Sequence, residues 1–256
     1  MSEMIVKSDI KRYFATGEVK ELTDELINEC RLSIRLEGEE FVKAVLSPTL
    51  LEEFVLGFLF TRGLISGCED ISSLDIAEGV ALVIRDQKLQ GELPEATLLE
   101  STGTRNVDLE VNSRRVAMIH RSGLRVRANV VITGTRLLSE MPVYNRTGGA
   151  HCAILFSPTG EPVISAEDLG RHNSVDKVIG TGLKKGIDFS DCWLAVSGRL
   201  PTDMVLKSAL AGIPLVASVS AVTSEGAKTG EMTGVTVVGF VREGRLNCYS
   251  HPYRVI

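Results

Sequence analysis

Between Glu167 and Lys177 the chain runs Glu-Asp-Leu-Gly-Arg-His-Asn-Ser-Val-Asp-Lys. Carboxylates, a guanidinium, an imidazole, an amide and an ammonium are gathered around one glycine, and these groups bind anions or move protons. The candidates are Asp168, Gly170, Arg171, His172, Asn173, Asp176 and Lys177, with His172 and Asp176 four apart and so on one helical face. Three more stretches in the same half are of this kind. Thr147, Gly148, Gly149 and His151 combine a glycine pair, which lets backbone approach a ligand closely, with a hydroxyl and an imidazole; the Cys152 thiol follows. Ser197, Gly198 and Arg199 precede Pro201 and a helical pattern, placing N–H donors and a guanidinium where an anion docks. Ser218 to Ser224 is a hydroxyl-rich strand end. All four fall where a strand meets a helix, and they are expected to converge on one sheet edge as a binding crevice.

The neighbouring His151 and Cys152 invite a thiol chemistry, but adjacent residues of a strand point to opposite faces. If a strand has begun there, the two do not meet, and Cys152 packs as a small apolar residue. Cys30, Cys68, Cys152, Cys192 and Cys248 form no C-x-x-C and no zinc-ligand spacing, so neither a disulfide framework nor a metal site is expected. The H-x-E and P-C-x-x-C signature of zinc deaminases is absent. His120 and His251 have no companions that would mark them. From Val111 to Ser139 no carboxylate occurs, while Arg114, Arg115, Arg121, Arg125, Arg127 and Arg136 supply guanidinium forks suited to phosphate.

The elements that must position these groups show in the periodicity. Leu32 to Leu36 and Phe41 to Leu46 read as a hairpin. Ser47-Pro48 reads as a helix start, with apolar residues at helical spacing from Leu50 until Gly63. Ile71 to Ala77 and Val80 to Arg85 read as a second hairpin, and Asp86 to Ser113 as loop. Later, apolar runs at Ala153 to Phe156, Trp193 to Val196, Leu215 to Val219 and Val235 to Val241 alternate with helical stretches at Asn173 to Lys185, Asp203 to Ala211 and Ser224 to Met232. That pattern predicts an α/β fold, a mixed sheet with helices on both faces, joined to a smaller N-terminal α+β domain. Residues 1–124 and 125–256 are the expected units, divided in the region of residues 100–125.

With 256 residues, 44% of them hydrophobic, the chain can bury a large core. Its apolar runs are too short to span a bilayer, and the start of the chain lacks an apolar signal core. No membrane partner and a cytoplasmic location are expected. A net charge of -5 with one local arginine field suits a discrete phosphorylated ligand better than nucleic acid.

Taken together, Thr147 to His151, Glu167 to Gly180, Ser197-Gly198-Arg199 and Gly239-Phe240-Val241-Arg242 resemble, in order and spacing, the FdhD family. Leu56 to Ile65 is similar to that family's G-F-L-x-x-E-G-I-I helix end, with Arg62 in place of the glutamate. The resemblance implies a cytidine-deaminase-like core without its zinc, and a homodimer. It implies a carrier that takes sulfur from a cysteine desulfurase and passes it to the bis(molybdopterin guanine dinucleotide) cofactor of molybdenum or tungsten, for the catalytic subunit of formate dehydrogenase. GDP would mimic half of that cofactor. The family's cofactor-contact segment falls on Phe240, Val241, Arg242, Glu243, Gly244 and Arg245. One departure is large: the family's S-C-G-x-C-G loop corresponds to Ser101 to Asn106, where Thr102 and Arg105 replace both cysteines. A hydroxyl cannot carry a persulfide. Cys152 is then the candidate substitute carrier, and a cofactor-binding chaperone without sulfur chemistry is the alternative. Ser220 to Gly226 likewise departs from the family's S-A-P-T-S-L-A.

Overall fold

Cys30–Leu36 and Glu39–Leu46 alternate buried and exposed side chains, as strands covered on one face must, and form β3 and β4. The structure, a computed structural model, describes residues 4–86, 119 and 122–256. With β5 (Ile71–Ala77) and β6 (Val80–Arg85), these strands make a four-stranded sheet in the order β4-β3-β6-β5. Ahead of it, β1 (Ile5–Tyr13) and β2 (Val19–Ile27) pair antiparallel as a separate ribbon. The sequence reading assigned no strands there, because charges interrupt the apolar pattern. In the ribbon opposite charges face each other across the strands, as in the Lys11–Glu21 pair.

Helix α1 (Leu51–Phe60) follows β4. Its expected cap at Ser47-Pro48 is not the observed one: the helix is entered through Leu50 at φ 53°, with no side-chain cap. Ser47 is instead wholly buried, because a buried carboxylate and ammonium described below claim its hydrogen bonds.

The second sheet contains β7 (His151–Phe156), β8 (Pro162–Asp168), β9 (Trp193–Val196), β10 (Leu215–Ser218), β11 (Thr236–Arg242) and β12 (Arg245–Cys248), in the order β12-β11-β10-β9-β7-β8. Strands β9, β10 and β11 are parallel, whereas β7 runs against both β8 and β9. The start of β7 and the ends of β8, β9, β10 and β11 therefore lie at one edge, where the four polar junctions meet. Between the strands run α4 (Arg171–Lys184), α5 (Thr202–Ala211) and α6 (Ser224–Thr233); α2 (Ala128–Arg136) and α3 (Pro142–Thr147) precede β7. The sequence pattern missed α2 and α3: α2 is rich in β-branched residues, which carry low helix propensity, and α3 is too short to show a period.

Strand alternation divides the core. Ala153 and Leu155 join a cluster with Phe54 and Phe58 of α1, Val175 and Ile179 of α4, and Val205 of α5. Cys152, Ile154 and Phe156 point the other way, to Val131 of α2 and to Trp193, whose ring stacks on Phe156 at 4.3 Å. Helices thus cover both faces of a mixed sheet. One core also joins the early and late parts of the chain: a Cβ on Gly57 would stand 1.9 Å from the Asp176 carbonyl oxygen, and one on Gly180 1.8 Å from that of Glu53, so α1 and α4 cross backbone to backbone. The region of the expected division lies mostly outside the described residues. Among those described, no helix is long and apolar enough to cross a membrane.

Candidate functional site

At the shared strand edge, His151 pairs in register with Asp168, and Ser197 lies one residue past β9. The Ser197 hydroxyl accepts the backbone N–H of Cys152 at 3.0 Å and stands 3.1 Å from His151 Nδ1. Gly198 passes beneath Arg171: a Cβ there would come within 2.9 Å of Arg171 Cδ. The half-buried Arg171 opens α4, and its Nε has no hydrogen-bond partner among the described residues. The start of α4 is left open too, with neither a side-chain cap nor a carboxylate in its first turn, whereas Thr223 caps α6 through Gly226 N–H. Free N–H donors at a helix start attract anions. Arg199 is exposed beside this opening.

The far end of the edge is formed by β10 and β11. Ser218 donates to the Gly198 carbonyl at 2.6 Å, tying two of the junctions together. Phe240 occupies the left-handed region at φ 50°, costly for a bulky side chain, and is held by its N–H to the Ser220 carbonyl at 2.9 Å and by a bulge in the β11–β12 pairing. Arg242 lies over its ring, Glu243 and Gly244 form the exposed turn that follows, and the exposed Arg245 opens β12.

The other residues of the 167–177 motif turn inward. Asp168, with no exposure, accepts from Ser47 N–H (3.0 Å), Gly170 N–H (2.8 Å) and Asn173 Nδ2 (2.9 Å), and pairs with the equally buried Lys177 at 2.6 Å. Lys177 also donates to the Ser47 carbonyl, and Asn173 to that of Val45. One turn along, His172 and Asp176 face Asp203 and Lys207 of α5, two i,i+4 pairs meeting across the helices. His172 Nε2 lies 3.1 Å from Asp203 Oδ2, and Lys207 Nζ lies 2.5 Å from Asp176 Oδ1. Burial holds His172 below the usual imidazole range and pulls Lys207 down to about 8. Burial acts to raise Asp203, but the His172 contact, the Met204 N–H and the Arg171 charge together keep the carboxyl low. Glu167 accepts from Val143 and Tyr144 N–H and so closes the start of α3.

The Thr147 hydroxyl donates to Val143 and accepts from Gly149 N–H; Gly148, at φ 63°, ends α3, and Gly149 packs on Ile27 of the ribbon. This glycine pair serves a helix end and a packing contact beside the strand edge. Asp203 and Lys207 carry no reading from sequence, and Ser47 only that of a helix start; a carboxylate just after Pro201 at a helix start was the available signal for Asp203.

The pattern of the FdhD/NarQ family matches residues 27–256. The chain belongs to this family. It is 33% identical, over 99% of its length and 100% of the relative's, to the sulfur carrier protein FdhD of Methanothermobacter thermautotrophicus. It is 34% identical to the FdhD of Anaeromyxobacter dehalogenans, covering 91% of this chain and 88% of that one, and 32% identical to that of a Staphylococcus aureus strain, covering 95% and 94%. A crystal structure of a candidate formate dehydrogenase accessory protein from Desulfotalea psychrophila superposes with a TM-score of 0.80 at 25% identity, covering 99% of this chain and 100% of that one.

For an FdhD-family chain the thiols are placed unexpectedly. Cys152 is 1% exposed on the α2 side of the sheet, its Sγ 3.8 Å from Glu167 Oε1; burial and then the Glu167 charge push it up to about 12. Burial likewise raises Cys192 to about 11, and raises Cys30, Cys68 and Cys248. None of the five sits where a thiolate is favoured. Thr102, Arg105, Arg114, Arg115, Arg121 and His120 lie outside the described residues. Of the other arginines in that field, Arg125 packs on Tyr253, and Arg127 and Arg136 are exposed at the ends of α2.

Proposed function

We propose that the strand-edge crevice binds the bis(molybdopterin guanine dinucleotide) cofactor of molybdenum or tungsten by its guanosine diphosphate ends. In this reading the chain works in the cytoplasm, as a homodimer with a cytidine-deaminase-like core, and assists sulfuration of the cofactor for the catalytic subunit of a formate dehydrogenase, with a cysteine desulfurase as sulfur source. The observation that carries it is the opening of α4: uncapped N–H donors, the unpaired Nε of Arg171, and Arg199 at the rim suit a diphosphate. The strained Phe240, with Arg242 over its ring, supplies an aromatic surface in the segment that family resemblance assigns to the cofactor. When bound, the cofactor supplies the metal centre that accepts sulfur. Residues of this chain bind and orient it.

The thiols favour a holder over a carrier. A persulfide forms on a thiolate, and burial keeps Cys152 protonated at neutral pH. The family's carrier role favours a second reading, in which Cys152 receives sulfur after local opening. Incubation with cysteine desulfurase and labelled cysteine, followed by mass spectrometry, separates them: a holder remains unlabelled, and a persulfide on Cys152 supports the carrier. Cofactor binding itself is tested with GDP, which is expected to raise the unfolding temperature by mass action. No shift at ligand concentrations far above micromolar refutes it.

A further inference from the structure

Ser197 is tied to β7 from both sides: its N–H donates to the Cys152 carbonyl at 3.0 Å, and its hydroxyl oxygen accepts the Cys152 N–H at 3.0 Å. The same oxygen lies 3.1 Å from His151 Nδ1. A serine hydroxyl has one hydrogen to donate, and among the described residues it has no acceptor other than this nitrogen. Within the protein, the hydroxyl hydrogen finds an acceptor only if Ser197 donates to an unprotonated Nδ1, and that arrangement puts the ring's single proton on Nε2, on the side away from Ser197. The ring is uncharged at neutral pH, since burial and next the Arg171 charge hold it below the usual imidazole range.

We propose that Ser197 is a positioning residue: it fixes His151 as the Nε2–H tautomer, so that the crevice offers an uncharged hydrogen-bond donor, beside the Arg171 guanidinium, to a phosphate oxygen of the bound nucleotide. This assignment rests on the cofactor-binding reading for its ligand, but not for its tautomer. A neutral donor complements Arg171 in a specific way. It directs one oxygen without burying a second cation next to the first, and it requires no proton uptake on binding.

Nitrogen-15 NMR of the full chain reads the tautomer directly, with His151 assigned by its loss in His151→Gln. The free protein is expected to carry the proton on Nε2. In Ser197→Ala the ring should shift toward the Nδ1–H form and the Kd for GDP should rise about 2- to 10-fold, the loss of one hydrogen bond. Ser197→Thr, which keeps the hydroxyl, should restore both. A proton on Nδ1 in the free protein overturns the assignment, as does an unchanged tautomer in Ser197→Ala. If Ser197→Ala fails to fold, the unsubstituted protein still decides the tautomer. Failure of the unsubstituted protein to bind GDP overturns the ligand and the cofactor reading together, whereas Nε2–H in that protein, lost in Ser197→Ala and regained in Ser197→Thr, upholds the role of Ser197 in fixing the ring.

Discussion

Two flanks of one motif, made of the same residue types, have opposite fates. On the inner flank Asp168, Asn173, Asp176 and Lys177 are buried, hydrogen-bonded and paired. On the outer flank the half-buried Arg171 leaves its Nε unpaired at an uncapped helix start, and His151 and Arg199 stand beside it. A buried charge is tolerable only when its partner and its hydrogen bonds are supplied, so the inner residues order the site. A charge at a crevice can wait for a ligand. The contrast teaches that a dense polar motif is not uniformly a binding surface, and that most of this one is the frame for Arg171 and the open helix start.

The contrast breaks most severely if an inner charge can be removed cheaply. Lys177→Met leaves Asp168 as an unpaired buried carboxylate and is expected to cost about 3–5 kcal/mol, read as the free energy of urea unfolding. A cost under about 1 kcal/mol would place the residue on the wrong flank. Arg171→Ala should do the reverse. The Kd for GDP should rise roughly 10- to 100-fold, the loss of a charged hydrogen bond, with little change in unfolding free energy. Equal losses of stability and affinity would erase the distinction.

A pH series sharpens it further. His172 and His151 are held below their unfolded value, which is about 6.5, so the unfolded chain takes up protons there that the folded chain refuses. Stability contributed by these groups is present above pH of about 6.5 and lost as the pH falls below it. The urea midpoint should drop between neutral and mildly acid pH, and His172→Gln should flatten the curve. An unchanged slope in that variant would remove His172 from the inner flank. The smallest effect is expected at Cys152. Cys152→Ala should lower stability by about 1 kcal/mol and leave GDP affinity within roughly twofold, as measured by calorimetry. A loss of affinity beyond tenfold would make that thiol part of the site.

Sequence alone was sufficient for the strands β3 to β7 and β9 to β11, the helices α1 and α4 to α6, and the meeting of four polar junctions at one edge. Each of these rests on local periodicity or on the order of strands and helices, and both are linear properties of the chain. The motif spacing also identified the family. Tertiary structure alone decided which polar residues face a ligand. Arg171 and Lys177 look alike in the chain, but Lys177 meets Asp168, 0% exposed, and Ser47, which is 130 residues away. Tertiary structure also recruited Asp203 and gave Ser47 to the buried carboxylate instead of a helix cap. Partners so distant in sequence leave no periodic trace. Burial and pairing, which decide what each of these groups can bind, exist only after the chain has folded.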